Sequence, residues 1–423
     1  MSRRAQIAPF IAMEIAREAG ARQANGERIA RFDVGQPHFG APASALAAAE
    51  RAMRSEALGY TDGLGTTALR RAIAQWYGAA YGLDIDPARI VITTGASGAF
   101  TLAFLALFDD GARVALASPG YPPYRHILKA LGLEAAVIEA NTQDGLQMTA
   151  ALLESLPAKA PIPPLRGVLP PQAGEETGAF SSPVAKRVGE VAPAKPGSKG
   201  VYGLDGVLIA SPANPTGAML SSAALGAVCA SARTRGLPLI SDEIYHGLTY
   251  EAPAQTALAH DDGAIVVSSF SKYWAMTGWR VGWIVAPHHL VKPIERLAQN
   301  LTVAPPTIGQ VAALGALEAR DECETRRELY AHNRALMLRE LPGLKLPPVV
   351  RPDGAFYVLV DVTAHADDSM AFAHRLLDEG VAITPGVDFC DSRGHRWARL
   401  AYCRPTDEVE AGLERLAKVC SKG

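Results

Sequence analysis

The sequence predicts an α/β fold in which a wound, mostly parallel sheet with helices on both faces is joined to a smaller α+β unit. Two observations lead to this prediction. Over the first 300 residues, short apolar runs alternate with longer helix-like stretches, as where 89–95 is followed by 97–108. That alternation is typical of a wound sheet. From about residue 300 the pattern changes, because helical segments over 307–340 precede strand-like runs at 354–362 and 397–403.

The remaining elements follow in order along the chain. A strand at 113–121 precedes a helix at 124–132, and further strands are predicted at 206–217, 237–243, 264–272 and 279–287. We therefore expect a large domain over 45–295 and a small domain built from 1–44 and 296–423. Residues 157–203 are rich in Pro, Gly, Ala and Ser without periodicity, which predicts an exposed insertion in the large domain.

Composition limits the class of protein. Its 423 residues are 48% hydrophobic and 20% charged, and 41 Lys and Arg nearly balance 43 Asp and Glu. This balance argues against a nucleic-acid or acidic-membrane partner.

The N-terminus has no signal-peptide pattern and no run of ~18 apolar residues occurs, so we expect a cytoplasmic protein without a membrane span. The five scattered cysteines predict reduced thiols, and His38, His126 and His246 show no metal-ligand spacing, so no metal is expected.

Polar groups stand where the predicted strands end. In an open α/β sheet, ligands bind at the carboxyl ends of the strands, so these groups should meet at one rim. Five segments share this position, namely 95–97, 118–121, 214–217, 242–245 and 269–272. The last of them ends on Lys272, so the sequence predicts a site built around this lysine.

Lys272 and its neighbours fit the chemistry of pyridoxal 5'-phosphate, which needs a lysine for its aldehyde and an anion for its ring nitrogen. Lys272 is the candidate amine, carrying the cofactor as a Schiff base, and Asp242 is the candidate anion. Ser269 and Arg280 offer a hydroxyl and a guanidinium for the phosphate.

Further groups at the rim complete the expected cofactor site. Ala96 and Ser97 open a helix whose N–H groups suit an anion. Asn214 and Tyr245 can donate to the ring oxygen, and Tyr121 can stack on the ring face. Each residue alone also fits a structural role, such as a helix cap for Asp242, but their convergence on Lys272 favours a cofactor site.

These residues carry a resemblance to fold-type-I pyridoxal-phosphate enzymes of the class I aminotransferase family, aspartate-aminotransferase-like, over roughly 25–155 and 204–403. The motifs are SFSKYWAMTGWRVG, ASPANPTG, SDEIY, TTGASGA, SPGYPPY and GYTDGLGTTALR. The resemblance implies a seven-stranded central sheet and transfer of an amino group from an amino acid to a 2-oxo acid, with 2-oxoglutarate the common acceptor. It also implies that Lys272, Asp242 and Tyr245 are catalytic.

The resemblance implies two further roles. Arg399 matches the arginine that pairs with the substrate α-carboxylate, assisted by Asn214 and the backbone of Gly35. Tyr60 matches an aromatic residue that reaches the phosphate bound by the neighbouring subunit. A homodimer with shared active sites is therefore expected.

Three alternatives stay open at this point. Aspartate-selective members of the subgroup often carry a lysine where Ser97 stands, so the preferred amino acid is undecided among aspartate, alanine, branched, aromatic residues and methionine. A C–S β-lyase would use the same constellation. A transcription regulator would need an added DNA-binding domain, for which the residues before Gly35 are too few and insufficiently basic.

Overall fold

A computed structural model of the chain describes residues 2–157 and 203–421. All but the two end residues of the predicted insertion, 157–203, lie outside this range. The centre of the described structure is a sheet of seven strands: β2 (Ile90–Thr93), β3 (Arg113–Ser118), β4 (Glu134–Glu139), β5 (Gly206–Ala210), β6 (Leu239–Asp242), β7 (Ile265–Ser269) and β8 (Gly282–Val285).

The sheet has the order β2-β8-β7-β6-β5-β3-β4, and β8 is antiparallel to both of its neighbours while the other pairs are parallel. The prediction of a mostly parallel seven-stranded sheet is therefore confirmed. The sequence analysis did not identify β4, an edge strand whose residues are mostly exposed or half-buried. An edge strand lacks the continuous apolar run that marks strands buried on both faces.

Helices surround this sheet and make up much of the rest of the described chain. Their bounds are α1 (Ile11–Ala24), α2 (Ala43–Ser55), α3 (Thr67–Tyr81), α4 (Gly95–Leu107), α5 (Pro122–Ala130), α6 (Ala150–Glu154), α7 (Ser222–Thr234), α8 (His288–Thr302), α9 (Thr307–Ala316), α10 (Arg320–Glu340), α11 (Ser369–Asp378) and α12 (Thr406–Cys420). Among the described residues, none of these helices is both long enough and apolar enough to cross a bilayer.

Alternating side chains of the central strands pack into two buried clusters. Leu208 and Ile240 lie in one cluster with Phe100 and Phe104 of α4. Val207 and Leu239 belong to the other. Because the strands are apolar on both faces, polar ligands can be bound only beyond the strand ends.

Two small sheets complete the fold. The antiparallel sheet has the order β11-β12-β9, formed by Thr384–Pro385, Trp397–Ala401 and Tyr357–Asp361. The parallel pair joins β1 (Ala30–Arg31) to β10 (Val381–Ala382). This pairing brings the N-terminal segment beside the C-terminal part of the chain, next to the strand that carries Arg399.

The direction of β8 decides which residues reach the site. Gly282, the first residue of β8, pairs with Thr93 and with Ser269, the last residues of β2 and β7. Residues that precede β8 therefore lie at the same rim as residues that follow the parallel strands. Arg280 reaches the rim in this way, although it does not follow a strand end.

Candidate active site

A cavity of about 250 Å³ lies at the carboxyl ends of the parallel strands. The structure brings ten of the residues predicted from the sequence to its wall: Gly35, Ala96, Ser97, Tyr121, Asn214, Asp242, Tyr245, Lys272, Arg280 and Arg399. A groove of about 830 Å³ between α3, the segment 247–254 and α10 is larger, but its described lining includes none of these ten residues. The smaller cavity is therefore the candidate site, because the predicted polar and charged side chains meet there and not in the larger groove.

Lys272 is held at the base of the cavity by the backbone of Gly35. Its Nζ donates a hydrogen bond to the Gly35 carbonyl oxygen at 2.6 Å. Burial, with nearby Arg399 and Arg280, lowers the pKa of Lys272 to about 8. With this pKa about a tenth of the lysine is neutral at pH 7, far more than for an ordinary lysine, and the neutral form is the one that a nucleophilic or basic amine requires.

Asp242 ends β6 and is buried at the far side of the cavity. Its Oδ1 accepts from the Ile244 backbone N–H at 3.0 Å, and its Oδ2 accepts from the hydroxyl of Tyr124. Burial raises the pKa of Asp242 to about 6, while these hydrogen bonds and Lys272 oppose the rise. The carboxyl is therefore mostly ionised at neutral pH and is available to a cationic group in the cavity.

The first turn of α4 and Arg280 form an anion-binding corner. Arg280 adopts a left-handed backbone conformation (φ 52°), and its guanidinium lies against Gly95 so closely that a side chain at Gly95 would collide with it. Gly282 lets β8 pass beneath the same turn, since a Cβ there would lie 2.7 Å from the Gly95 carbonyl carbon. Backbone N–H groups, a helix N-terminus and a guanidinium together suit a phosphate.

Three aromatic or amide side chains line the middle of the cavity. The Tyr245 hydroxyl lies 2.8 Å from that of Tyr357, and either can donate. The Tyr121 ring packs edge-on against Tyr124, with centroids 5.3 Å apart. Asn214 accepts from Arg399 through its Oδ1 at 2.9 Å, which leaves its Nδ2 as a donor.

Arg399 is buried and nearly surrounded by acceptors and rings. Its Nη2 donates to the Asp33 carbonyl oxygen at 2.5 Å and to Thr384 Oγ1 at 3.1 Å, and its Cζ lies 4.5 Å from the Tyr357 ring centroid. Its Nε has no hydrogen-bond partner among the described residues. Arg399 also lines the cavity, and a guanidinium in such a wall is suited to an incoming carboxylate.

Two predicted residues are not brought to the cavity wall. Ser269 lies behind it, with its hydroxyl 2.7 Å from Ser271 Oγ and 3.1 Å from the Val281 carbonyl oxygen. Ser271 lines the cavity in its place. Tyr60 is 87% exposed and lies outside the cavity of its own chain. The predicted roles of Ser269 and Tyr60 stay predictions.

Several lining residues were missed by the sequence analysis. Tyr124, Ser271 and Tyr357 lie within or beside motifs that were noted, and the spacing of Tyr121 and Tyr124 on one helix turn could have indicated that both face the same side. No local pattern marked Phe10 and Met13, which reach the cavity from the first turn of α1.

Comparisons with known proteins agree with this geometry. The family model described as aminotransferase class I and II matches residues 27–416. The chain belongs to this family. The enzyme is 40% identical to a valine–pyruvate aminotransferase of Mycobacterium tuberculosis, covering 98% of this chain and 96% of that protein. It is 30% identical to an aspartate/prephenate aminotransferase of Thermus thermophilus, covering 100% and 99%. A crystal structure of an aminotransferase from Mycobacterium tuberculosis matches with a TM-score of 0.87 and 38% identity, covering 100% and 99%.

Aminotransferases of this family use pyridoxal 5'-phosphate, and the cavity has the donor set that this cofactor needs. A lysine of lowered pKa faces the same space as a buried carboxylate, and the anion-binding corner at Gly95 and Arg280 opens onto it. Arg399 lines the same cavity and supplies a cation for a substrate anion. The residues present therefore fit the cofactor together with an amino acid substrate.

The Tyr124 hydroxyl should control the acid limb of activity. Replacing Tyr124 with Phe removes a hydrogen bond that favours ionised Asp242, so the pKa of Asp242 should rise from about 6. At a given pH a smaller fraction of the enzyme then has Asp242 ionised, so the acid limb of the kcat/KM profile should move to higher pH. A pH–rate profile measures this shift. Tyr81→Phe is the control, because it removes another largely buried hydroxyl, bonded to His246. An unshifted limb in Tyr124→Phe would contradict the assignment.

Proposed function

We propose that this enzyme transfers the α-amino group of a neutral, apolar amino acid such as valine to a small 2-oxo acid such as pyruvate. The charge of the cavity wall carries the proposal. Among the described lining residues the cationic side chains are Lys272, Arg280 and Arg399, and each has a part with the cofactor or the α-carboxylate. Phe10 and Met13 contribute an apolar surface. A second carboxylate on the substrate would lack a cation in this wall.

Two further facts support the proposal. Ser97 stands where aspartate-selective relatives often carry a lysine, and a valine–pyruvate aminotransferase is 40% identical to this chain. Donor and acceptor occupy the same cavity in turn, so a wall suited to apolar donors also favours a monocarboxylic acceptor. 2-Oxoglutarate, which the family resemblance implies, is the competing acceptor.

Lys272 would hold the cofactor covalently between turnovers and act as the base during them. Pyridoxal phosphate, when bound, supplies an aldehyde that accepts the amino group and a ring that takes up the electron pair of the breaking Cα–H bond. When it is not bonded to the cofactor, Nζ of Lys272 would be the base that takes the proton from the substrate Cα. Its lowered pKa, about 8, suits this exchange.

The other residues would orient the reactants. Asp242 would keep the ring nitrogen protonated, which strengthens the ring as an electron acceptor. Tyr245 and Asn214 would donate to the ring oxygen, and Tyr121 would cover one ring face. Arg399 binds the α-carboxylate and so fixes the Cα–H bond relative to Lys272.

A half-reaction screen tests the proposed substrate class. The holoenzyme is mixed with single amino acids, and the loss of the cofactor's visible absorbance is followed. We expect valine and other apolar donors to react with higher kcat/KM than aspartate or glutamate, and pyruvate to restore the absorbance better than 2-oxoglutarate. Preference for the dicarboxylic substrates would overturn the proposal. Pyruvate release from cystathionine without any 2-oxo acid would identify the β-lyase, which the aminotransferase relatives do not favour.

We further propose a homodimer in which Tyr60 completes the partner's phosphate site. Tyr60 is 87% exposed, and Leu46, Met53, Leu301 and Val303 are exposed apolar side chains, each at least half accessible. Tyr60 lies beside α9, since Gly59 accepts a hydrogen bond from Thr307 Oγ1 at 2.6 Å. Exposed apolar groups of this kind favour a subunit contact. A monomer mass in sedimentation at micromolar concentration would contradict it.

A further inference from the structure

The first turn of α1 is capped by a carboxylate that lies far away in the sequence. Oδ1 and Oδ2 of Asp388 accept hydrogen bonds from the backbone N–H groups of Ile11 and Ala12 at 3.2 and 3.0 Å. Asp388 is 1% exposed, and the local N-cap residue, Phe10, makes no side-chain capping bond. A buried carboxylate on the free N–H groups of a helix stabilises its first turn through hydrogen bonds and the helix dipole.

That same turn forms part of the substrate cavity. Phe10, Ala12 and Met13 all line it. The Phe10 ring meets Tyr121 edge-on, with centroids 6.0 Å apart and an interplanar angle of 77°. The position of the turn therefore fixes how far the apolar wall extends toward the cofactor site.

The segment that carries Asp388 is itself anchored to the rest of the site. The Phe389 carbonyl oxygen accepts from Gly120 N at 3.1 Å, and the Asp388 carbonyl oxygen accepts from Arg125 Nη2 at 2.8 Å. The Phe389 ring centroid lies 4.9 Å from Cζ of Arg399. The turn over 386–389 thus contacts the residues beside Tyr121, the α-carboxylate arginine and α1.

Close backbone packing restricts this turn. At Gly386 a Cβ would lie 2.5 Å from the carbonyl oxygens of Gly394 and Trp397, so no side chain fits there. The backbone N–H groups of Phe389 and Cys390 both bond the Gly386 carbonyl oxygen, at 2.9 and 3.1 Å. A turn held in this way can present the Asp388 carboxylate in one fixed place.

We propose that Asp388 is a positioning residue for substrate selectivity. Its two hydrogen bonds hold the first turn of α1 in place, so that Phe10 and Met13 recognise an apolar substrate side chain. The inference rests on the proposed apolar substrate class. Without these two hydrogen bonds, Phe10 and Met13 move away from the substrate side chain, while the cofactor site and Arg399 keep their other contacts. Discrimination by side-chain size is lost, and α-carboxylate binding is retained.

The test uses Asp388→Asn holoenzyme, which keeps the side-chain shape but loses the charge and one acceptor oxygen. Valine exceeds alanine by two carbons, whose burial corresponds to about tenfold in kcat/KM. We expect the valine-to-alanine ratio to fall by about this factor, mainly through KM, with cofactor affinity unchanged. Hydrogen exchange followed by mass spectrometry should show peptides over 8–16 exchanging at least ~10-fold faster, because one amide loses its acceptor and the other keeps only a neutral one.

Control variants separate the possible outcomes. Asp378→Asn removes the exposed ion pair with Arg22 at the other end of α1, 2.8 Å long, and should leave both readouts at wild-type values. Phe10→Ala tests the wall directly and should lower the same ratio even if the Asp388 variant fails to fold. Faster exchange with an unchanged ratio would overturn the proposal, as would an equal effect of Asp378→Asn. Failure of the proposed function is seen separately, as a preference of the wild-type enzyme for dicarboxylic donors.

Discussion

Replacing Lys272 with alanine is expected to lower the rate of amino group transfer by at least ~10⁴-fold, because we propose that this one side chain supplies both the covalent attachment and the base. The cofactor should still bind, since the anion-binding corner at Gly95 and Arg280 and the Asp242 carboxylate stay in place. Single-turnover kinetics with valine measure the loss, and dialysis against free cofactor measures the retained binding.

Borohydride reduction gives an independent readout of the same residue. The wild-type enzyme should yield a single labelled peptide containing Lys272, and the alanine variant should yield none. Lys292→Ala is the matched control, because Lys292 is 76% exposed and pairs with Glu295 on a surface helix. Its rate and labelling should equal those of the wild type. Labelling of a different lysine in the wild-type enzyme would refute the assignment.

Arg399→Ala should depress kcat/KM for every amino acid by a similar factor, because all of them share the α-carboxylate. Loss of a buried, charge-assisted partner costs roughly 2–5 kcal/mol, about 10^1.5- to 10^3.5-fold. The structure adds a reason for the upper part of this range, since truncation also leaves Asn214 Oδ1 without its Arg399 donor. The Asp33 carbonyl oxygen loses one donor but keeps the hydroxyl of Thr384 at 2.8 Å. Steady-state kinetics across apolar and acidic donors measure the effect.

The chemistry of the guanidinium sets the controls for this experiment. Arg399→Lys should recover only part of the loss, because an ammonium cannot form the planar fork of a guanidinium. Arg396→Ala, which removes a half-exposed arginine 3.6 Å from Asp361, should change little. A loss confined to aspartate and glutamate would instead assign Arg399 to a distal carboxylate.

Much of the cofactor site could be predicted from the sequence because its residues follow apolar strands directly. Asp242 and Lys272 come at or soon after the ends of β6 and β7, and Asn214 follows β5. Parallel strands end at the same edge of a sheet, so a local pattern was enough to place these groups together. The seven-stranded sheet, which the family resemblance implied, was confirmed, although the local pattern did not identify the exposed edge strand β4.

The sequence grouped Arg280 with the other site residues, but only the structure explains why it lies there. The motif around Lys272 predicted a phosphate role for it, but the antiparallel direction of β8 is what returns the chain to the rim. Its left-handed backbone and close approach to Gly95 could not be foreseen, since both depend on how β8 passes beneath α4.

By itself the sequence determined the fold class and the aminotransferase family and singled out Lys272 as the candidate lysine, because these follow from strand ends and local motifs. Only the tertiary structure decided which residues line the cavity. Asp388 meets Ile11 and Ala12 across 377 and 376 positions of the chain, and Arg399 meets Asp33 across 366. Periodicity records which face of an element is buried but not which distant element covers it. Such contacts form through the packing of whole elements, so the side-chain pocket became visible only in the folded chain.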